Sequence, residues 1–296
     1  MTRPIPPHGR ALQAAAVLLL IAMLGGCTTR SPVVPAIGDD GEHRPGNIVW
    51  HELLTSDMQG AGTFYQQLFG WEIQPLGEAY GLVHHNGRAI AGIAQKRDAG
   101  KSALWLSFMS VDDVDATVSR VKAGGGDILL PATNLPGRGR VAVVADNQGV
   151  VFGLIRSSNG DPEPRKPGLN DWLWREVWSQ DRAATEKFYA DTFDMRLVHT
   201  AIANTDYRYF AHAGKPRIGL VDAPAVGTAQ VWMVYVRVAD PEATAKQAEA
   251  LGGSVLLAPD QEIRADSVAV IADPTGGVLV VQKWDDTGWD DAGMED

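Results

Sequence analysis

The sequence predicts an α+β fold made of two tandem copies of one module, and three observations carry that prediction. The stretch IVWHELLTSD (48–57) returns as LWREVWSQD (173–181), and each copy runs into a helix-like segment with Phe-Tyr, AGTFYQQLFGW and AATEKFYADTFDM. Aligning Asp57 with Asp181 superposes Trp50 on Trp174, Glu52 on Glu176, Phe64-Tyr65 on Phe188-Tyr189 and Phe69 on Phe193. Farther along, VDDVDATVSRVKAGGGDILLP matches VADPEATAKQAEALGGSVLLAP, and VAVVADNQGVVFGL matches VAVIADPTGGVLVV, in the same order. Self-similarity at a fixed spacing marks one structural unit written twice.

The elements follow in chain order. Residues 1–26 combine a basic start, MTRPIPPHGR, with the apolar run ALQAAAVLLLIAMLGG, the pattern of an export signal too short for a membrane span. Leu24-Gly25-Gly26-Cys27 is similar to a bacterial lipobox, which implies a lipidated Cys27 as the mature N-terminus. Thr28 stands where an inner-membrane retention signal would place Asp, so the resemblance implies an outer-membrane anchor facing the periplasm. Residues 27–45, rich in Thr, Pro, Gly and charge, read as a flexible tether.

The first module spans 46–156. IVWHELLT mixes apolar and polar residues at short period and reads as a strand, Asp57 is placed to cap a helix, and Phe64, Leu68 and Phe69 form that helix's buried stripe. A hairpin is expected at HHNGRAIAG, where Asn86-Gly87 supplies positive φ. A strand ending at Val111, a helix running to Gly125 and two strands flanking Asp146 complete the copy, which reads βαβ followed by βαββ. Residues 157–169, dense in Pro, Gly and charge, are the linker. The second module, 170–284, repeats the plan, and 285–296 is an acidic, solvated tail.

The chain carries a net charge of −10, which argues against nucleic acid as a partner, and its one cysteine excludes an internal disulfide. No Gly-x-Ser-x-Gly elbow and no His-Glu-x-x-His helix occurs.

The strand, capping Asp, Phe-Tyr helix, Gly-Trp, Val-Asp-Asp, Gly-Gly and AVVAD series resembles the vicinal oxygen chelate superfamily, the glyoxalase/bleomycin resistance/dioxygenase proteins, in tandem form. The resemblance implies two βαβββ glyoxalase-like modules forming open, incomplete barrels with helices outside. It also implies a divalent metal on His, Gln and Glu side chains facing each cavity. Carried over residue by residue, those ligand positions fall on Trp50, Leu106 and Gly153, and on Trp174, Met233 and Val280. None is a ligand for such a metal. No cofactor is therefore expected, and a divalent metal would need a displaced set using Glu52, Glu176 and a histidine.

Strand alternation turns Glu52 and Glu176 the same way as Trp50 and Trp174. A Trp beside a carboxylate in a cavity can stack a planar or cationic group and balance its charge; equally, the tryptophans can plug the barrels and leave the glutamates a structural role. Met233, Tyr235 and Arg237 are expected to face the second cavity, with Arg237 neutralising Glu176 or receiving an anion. His84, His85 and His212 read as exposed turn residues, His199 as isolated, and His51 as packed under a helix or at the module boundary. These features point to a protein that binds a small, partly aromatic or cationic molecule at Trp50, Glu52, Trp174, Glu176, Tyr235 and Arg237. The competing readings are an enzyme with Glu52 or Glu176 as general base or with a displaced metal, and a structural protein of the envelope. A monomer supplies both modules, and a homodimer is the alternative.

Overall fold

The computed structural model describes residues 34–96, 102–202, 205–223 and 231–284. The expected signal segment, Cys27 and the acidic tail lie outside them. The first module runs β1 (Ile48–Thr55), α1 (Met58–Phe69), β2 (Glu72–Pro75), β3 (Tyr80–His85), β4 (Arg88–Gln95), β5 (Leu104–Ser110), α2 (Val114–Ala123), β6 (Asp127–Leu135), β7 (Gly139–Ala145) and β8 (Val151–Ser157). The second runs β9 (Trp172–Ser179), α3 (Arg182–Phe193), β10 (Arg196–Ile202), β11 (Thr205–His212), β12 (Lys215–Asp222), β13 (Val231–Arg237), α4 (Pro241–Ala250), β14 (Ser254–Leu257), β15 (Val268–Ala272) and β16 (Val278–Gln282). No helix among the described residues is long and apolar enough to cross a membrane.

Each module is one eight-stranded sheet, ordered β2-β3-β4-β1-β5-β8-β7-β6 and β10-β11-β12-β9-β13-β16-β15-β14. The order is identical, and the outermost strands do not pair, so the barrels stay open. Each module is thus a βαβββ unit written twice, two strands richer in its first half and one in its second than the βαβ followed by βαββ read from sequence. The short strand β2, EIQP, is exposed or half-buried throughout and carries no apolar alternation to announce it. All four helices begin at an Asp whose carboxylate accepts a first-turn amide, Asp57, Asp113, Asp181 and Asp240.

The helices pack across the modules. Phe64, Tyr65, Leu68 and Phe69 of α1 share a core with Val234, Val236, Ile271, Leu279 and Val281 of the second sheet. Reciprocally, Phe188, Tyr189 and Phe193 of α3 pack with Ala142, Val144, Phe152 and Leu154 of the first. The repeated Phe-Tyr is therefore interface core, and each tyrosine ends in a polar relay. Trp105 Nε1 donates to Tyr65 Oη at 2.9 Å, and Tyr65 donates to Asp273 Oδ2 at 2.8 Å. On the other side Trp232 Nε1 donates to Tyr189 Oη at 2.6 Å, and that hydroxyl faces the Asp146 carboxylate. His51 and Arg175, equivalent by the repeat, meet between the modules: Arg175 Nη2 lies 3.0 Å from His51 Nε2, whose ring also contacts Ser107 Oγ at 2.9 Å. Burial, then Arg175, holds the His51 pKa well below its ordinary range, so it sits there neutral.

Burial pushes the Asp146 carboxyl up to about 6 from 3.8, against backbone amides that favour its charged form. An acid raised on folding favours the folded state below its unfolded pKa, and that contribution is lost as pH climbs through the folded value. Between about pH 4 and pH 6 the swing is on the order of 3 kcal/mol at 1.36 kcal/mol per unit. Asp146→Asn, which keeps the acceptor for Gln148 N and Val150 N, is expected to lose most of that swing. Urea unfolding of both proteins at pH 4 and pH 7 measures it; an unchanged difference between the two pH values would contradict the assignment.

Two segments depart from expectation. Residues 40–45, taken as part of a flexible tether, dock on the first module, because the buried Asp161 carboxylate accepts from Arg44 N at 2.7 Å, Ser110 Oγ at 2.6 Å and Ser157 Oγ at 2.8 Å. His85, expected to be exposed beside its turn, is buried with Nε2 3.1 Å from the Leu169 carbonyl, since the interdomain linker folds over it.

Candidate functional site

The side chains that face the barrel interiors form one cluster per module. In the first, Glu52 Oε1 accepts from Trp50 Nε1 at 2.8 Å and from Tyr80 Oη at 3.0 Å. Arg138, on the β6–β7 turn, donates from Nη2 to Tyr80 Oη at 2.9 Å, lies 3.9 Å from Glu52 Oε1, and places Cζ 4.4 Å from the Trp50 ring centroid. The cluster is closed: Trp50 and Arg138 are each 3% exposed and Glu52 5%. Burial raises the Glu52 pKa, opposed by Arg138 and by the Trp50 and Tyr80 hydrogen bonds. Glu52 Oε2 and Arg138 Nη1 are buried without hydrogen-bond partners.

In the second module Glu176, 0% exposed, accepts from Tyr207 Oη at 2.8 Å and from Tyr235 Oη, while Trp174 Nε1 donates to Tyr207 Oη at 2.7 Å. Its countercharge is Arg264, whose Nη2 lies 2.6 Å from Glu176 Oε1 and whose Cζ is 5.7 Å from the Tyr207 and Tyr235 ring centroids. Burial pushes the Tyr207 and Tyr235 hydroxyls well above their ordinary range, reinforced by the Glu176 charge, so both remain donors. Burial opposes the charge on Arg264, but Glu176 and the two phenols outweigh it and its pKa is raised. Here Trp174 and Tyr207 are half-buried and the Arg264 side chain is 30% exposed, so this cluster reaches the surface where the first does not.

Trp50 with Glu52, and Trp174 with Glu176 and Tyr235, therefore come together as their alternation suggests. Arg237 does not join them: it is the last residue of β13, its N–H donates to the Asp171 carbonyl, and its Nη1 donates to the Pro167 carbonyl in the linker at 2.8 Å. Tyr80, Arg138, Tyr207 and Arg264 were not identified from the sequence. The alignment that sets His85 on His212 also sets Tyr80 on Tyr207, a signal available beforehand. Repeated glycines mark the same place. A Cβ at Gly92 would lie 1.9 Å from Glu52 Oε2, and one at Gly219 2.0 Å from Tyr207 Oη, so a backbone without a side chain admits each Glu–Tyr pair.

The residues do not suit a divalent metal. The positions implied as ligands carry indole, aliphatic or thioether side chains or none, and a Cβ on Gly153 would lie 2.2 Å from Phe108 Cδ1, so the Phe108 ring fills that space. Each barrel's carboxylate already carries an arginine as countercharge. Among the described residues no three His, Cys, Asp or Glu side chains are grouped as metal ligands.

Comparison with known proteins agrees with this architecture. The profile of the Glyoxalase/Bleomycin resistance protein/Dioxygenase superfamily matches residues 47–154, and that of the glyoxalase-like domain matches 176–281. The putative glyoxylase CFP32 of Mycobacterium tuberculosis is 30% identical over 253 residues, covering 82% of this chain and 96% of that protein. The anthracycline biosynthesis protein DnrV of Streptomyces peucetius is 27% identical, covering 80% and 94%. Among solved structures, the Mn(II)-bound glyoxalase of Novosphingobium aromaticivorans superposes with TM-score 0.54 at 13% identity, covering 83% of this chain and 82% of that one. A variant homoprotocatechuate 2,3-dioxygenase of B. fuscum gives 0.54 at 15%, covering 86% and 73%. These two likenesses bear on the fold alone.

Proposed function

The chain belongs to the glyoxalase/bleomycin resistance/dioxygenase superfamily, and from that premise we propose that its second barrel binds a small organic cation with a flat apolar part, without the family metal. One observation carries the proposal: a fully buried carboxylate, Glu176, stands among Trp174, Tyr207 and Tyr235, and its countercharge is a partly exposed arginine. Aromatic faces around a carboxylate favour an organic cation over an anion or a hydrated metal ion. Relatives named for glyoxylase and anthracycline biosynthesis are in keeping with a small organic ligand.

The test is a panel of aryl cations, anions and neutral isosteres scored by tryptophan fluorescence and thermal shift. Cations are expected to bind, about tenfold or more weakly in Trp174→Ala and Glu176→Gln. Binding confined to anions, or unaffected by either substitution, would contradict the proposal.

Glu52 supports a second reading as a general base, since its pKa is raised and one oxygen has no hydrogen-bond partner. Under that reading Glu52→Gln abolishes turnover; under the binding reading it leaves ligand affinity at the second barrel unchanged.

We place the protein in the cell envelope, lipidated at Cys27; a dimer is not required by either barrel, since each sheet is complete within one chain. Metabolic labelling with an alkyne fatty acid is expected to mark the wild type and not Cys27→Ser; an unlabelled wild type would contradict the anchor.

A further inference from the structure

The two barrel arginines are held differently. Arg138 sits in a three-residue connection between β6 and β7 and is tied at both backbone ends, N to Leu135 O at 3.0 Å and O to Ser158 N at 3.0 Å. Arg264 sits in a ten-residue excursion between β14 and β15, next to Ile263, one of the exposed large hydrophobic residues. Three consecutive non-glycine residues there, Arg264, Ala265 and Asp266, have φ of 51°, 48° and 60°. Such conformations are costly for L-residues and persist only where surrounding contacts enforce them. Most hydrogen bonds of this segment stay within it, Ile263 N and Asp266 N to Asp260 O at 2.9 and 3.1 Å, Glu262 N to Asp260 Oδ1 at 2.8 Å, Ser267 N to Arg264 O at 3.1 Å and a Gln261–Asp266 side-chain bond, while Lys283 N to Ser267 O at 2.8 Å and the Arg264 head on Glu176 tie it to the barrel.

That head is a planar cation on a carboxylate, with two phenol rings beside it and the Trp174–Tyr207 pair behind. It has the chemistry of a ligand supplied by the protein itself. We infer that Arg264 is a displaceable occupant of the second barrel, and that the external ligand carries a guanidinium or amidinium head that takes its place on Glu176 while the 258–267 segment moves out. The inference rests on reading this barrel as a cation site. A planar, delocalised head can lie beside the Tyr207 and Tyr235 rings as the Arg264 head does, Cζ 5.7 Å from each centroid, while one N–H reaches Glu176 Oε1, and a compact ammonium has no such face. Moving Arg264 out of the barrel also releases the left-handed backbone at 264–266. The first barrel has the same Trp, Glu, Tyr and Arg but no movable segment, so it stays closed.

The experiment uses the folded chain carrying Arg264→Ala, with Arg264→Met as a second variant should the first be too unstable to purify. Three isosteric probes are titrated: benzamidine, benzylamine and neutral benzamide. Both variants are expected to melt below the wild type and to be restored by benzamidine, with an affinity about tenfold above that for benzylamine and above that of the wild type, where Arg264 competes. Adding Glu176→Gln is expected to abolish the rescue. In the wild type, benzamidine is expected to speed amide hydrogen exchange at Ala265–Ser267. Equal or tighter binding of benzylamine would overturn the planar-head inference while the cation site stands. Wild-type affinity equal to that of the variants, or unchanged exchange at 265–267, would overturn Arg264 as the occupant. Failure of every cation in every protein would overturn both this inference and the proposed function.

Discussion

Arg138→Met is expected to destabilise the fold by about 3–5 kcal/mol, because it leaves the Glu52 carboxylate buried without its countercharge. The same change removes the cation from the Trp50 face and a donor from Tyr80. Replacing both members, Glu52→Leu with Arg138→Met, is expected to recover most of that loss, since a buried pair exchanged for apolar groups of similar volume is often near neutral. The single variant also carries a pH signature. Without Arg138 the Glu52 pKa rises further, so the folded state favours the protonated acid and stability is lost as pH climbs through that higher value. Urea unfolding at pH 5 and pH 8 should show the larger penalty at pH 8. A cost below about 1 kcal/mol at both would mean that Glu52 does not depend on Arg138.

Trp71→Ala is expected to cost about 3–5 kcal/mol as well, the usual range for deleting a buried aromatic. Trp71 is 0% exposed and packs on Tyr65, Phe69, Trp105 and, across the module boundary, Trp172, at ring-centroid separations of 4.8–6.1 Å. Its Nε1 donates to the Asn170 carbonyl at 2.8 Å, so one side chain ties α1, both sheets and the start of the second module together. Because α1 and α3 each complete the other module's core, unfolding should remain a single cooperative transition at a lower midpoint. Two separated transitions by calorimetry would show that the modules fold independently.

The duplication, the helix caps and the Phe-Tyr stripes were legible because they follow local period and exact recurrence. Cross-module packing was not, since nothing in a heptad or an alternation says which sheet a helix face will meet. Trp50, Glu52, Trp174, Glu176 and Tyr235 were legible from strand alternation alone. Arg237 was misplaced because β13 ends there and residues 167–171 run beside it, so its guanidinium meets the Pro167 carbonyl instead of Glu176. Arg138 and Arg264 come from turns of different length, where no register exists to bring them into line with the glutamates. The short strand β2 and the docked segment at residues 40–45 were missed for a related reason: polar groups bonded to a distant acid, such as Asp161, leave no periodic trace.

Both barrels put an arginine-neutralised carboxylate inside a fold whose solved relatives include a Mn(II)-bound glyoxalase. Calorimetric titration of the metal-stripped chain with Mn²⁺, Zn²⁺ and Ni²⁺, paired with the metal content of the protein as purified, tests the proposed metal-free site directly. No stoichiometric binding and no rise in melting temperature are expected. Stoichiometric uptake that raises the melting temperature and is lost in Glu52→Gln or Glu176→Gln would contradict it.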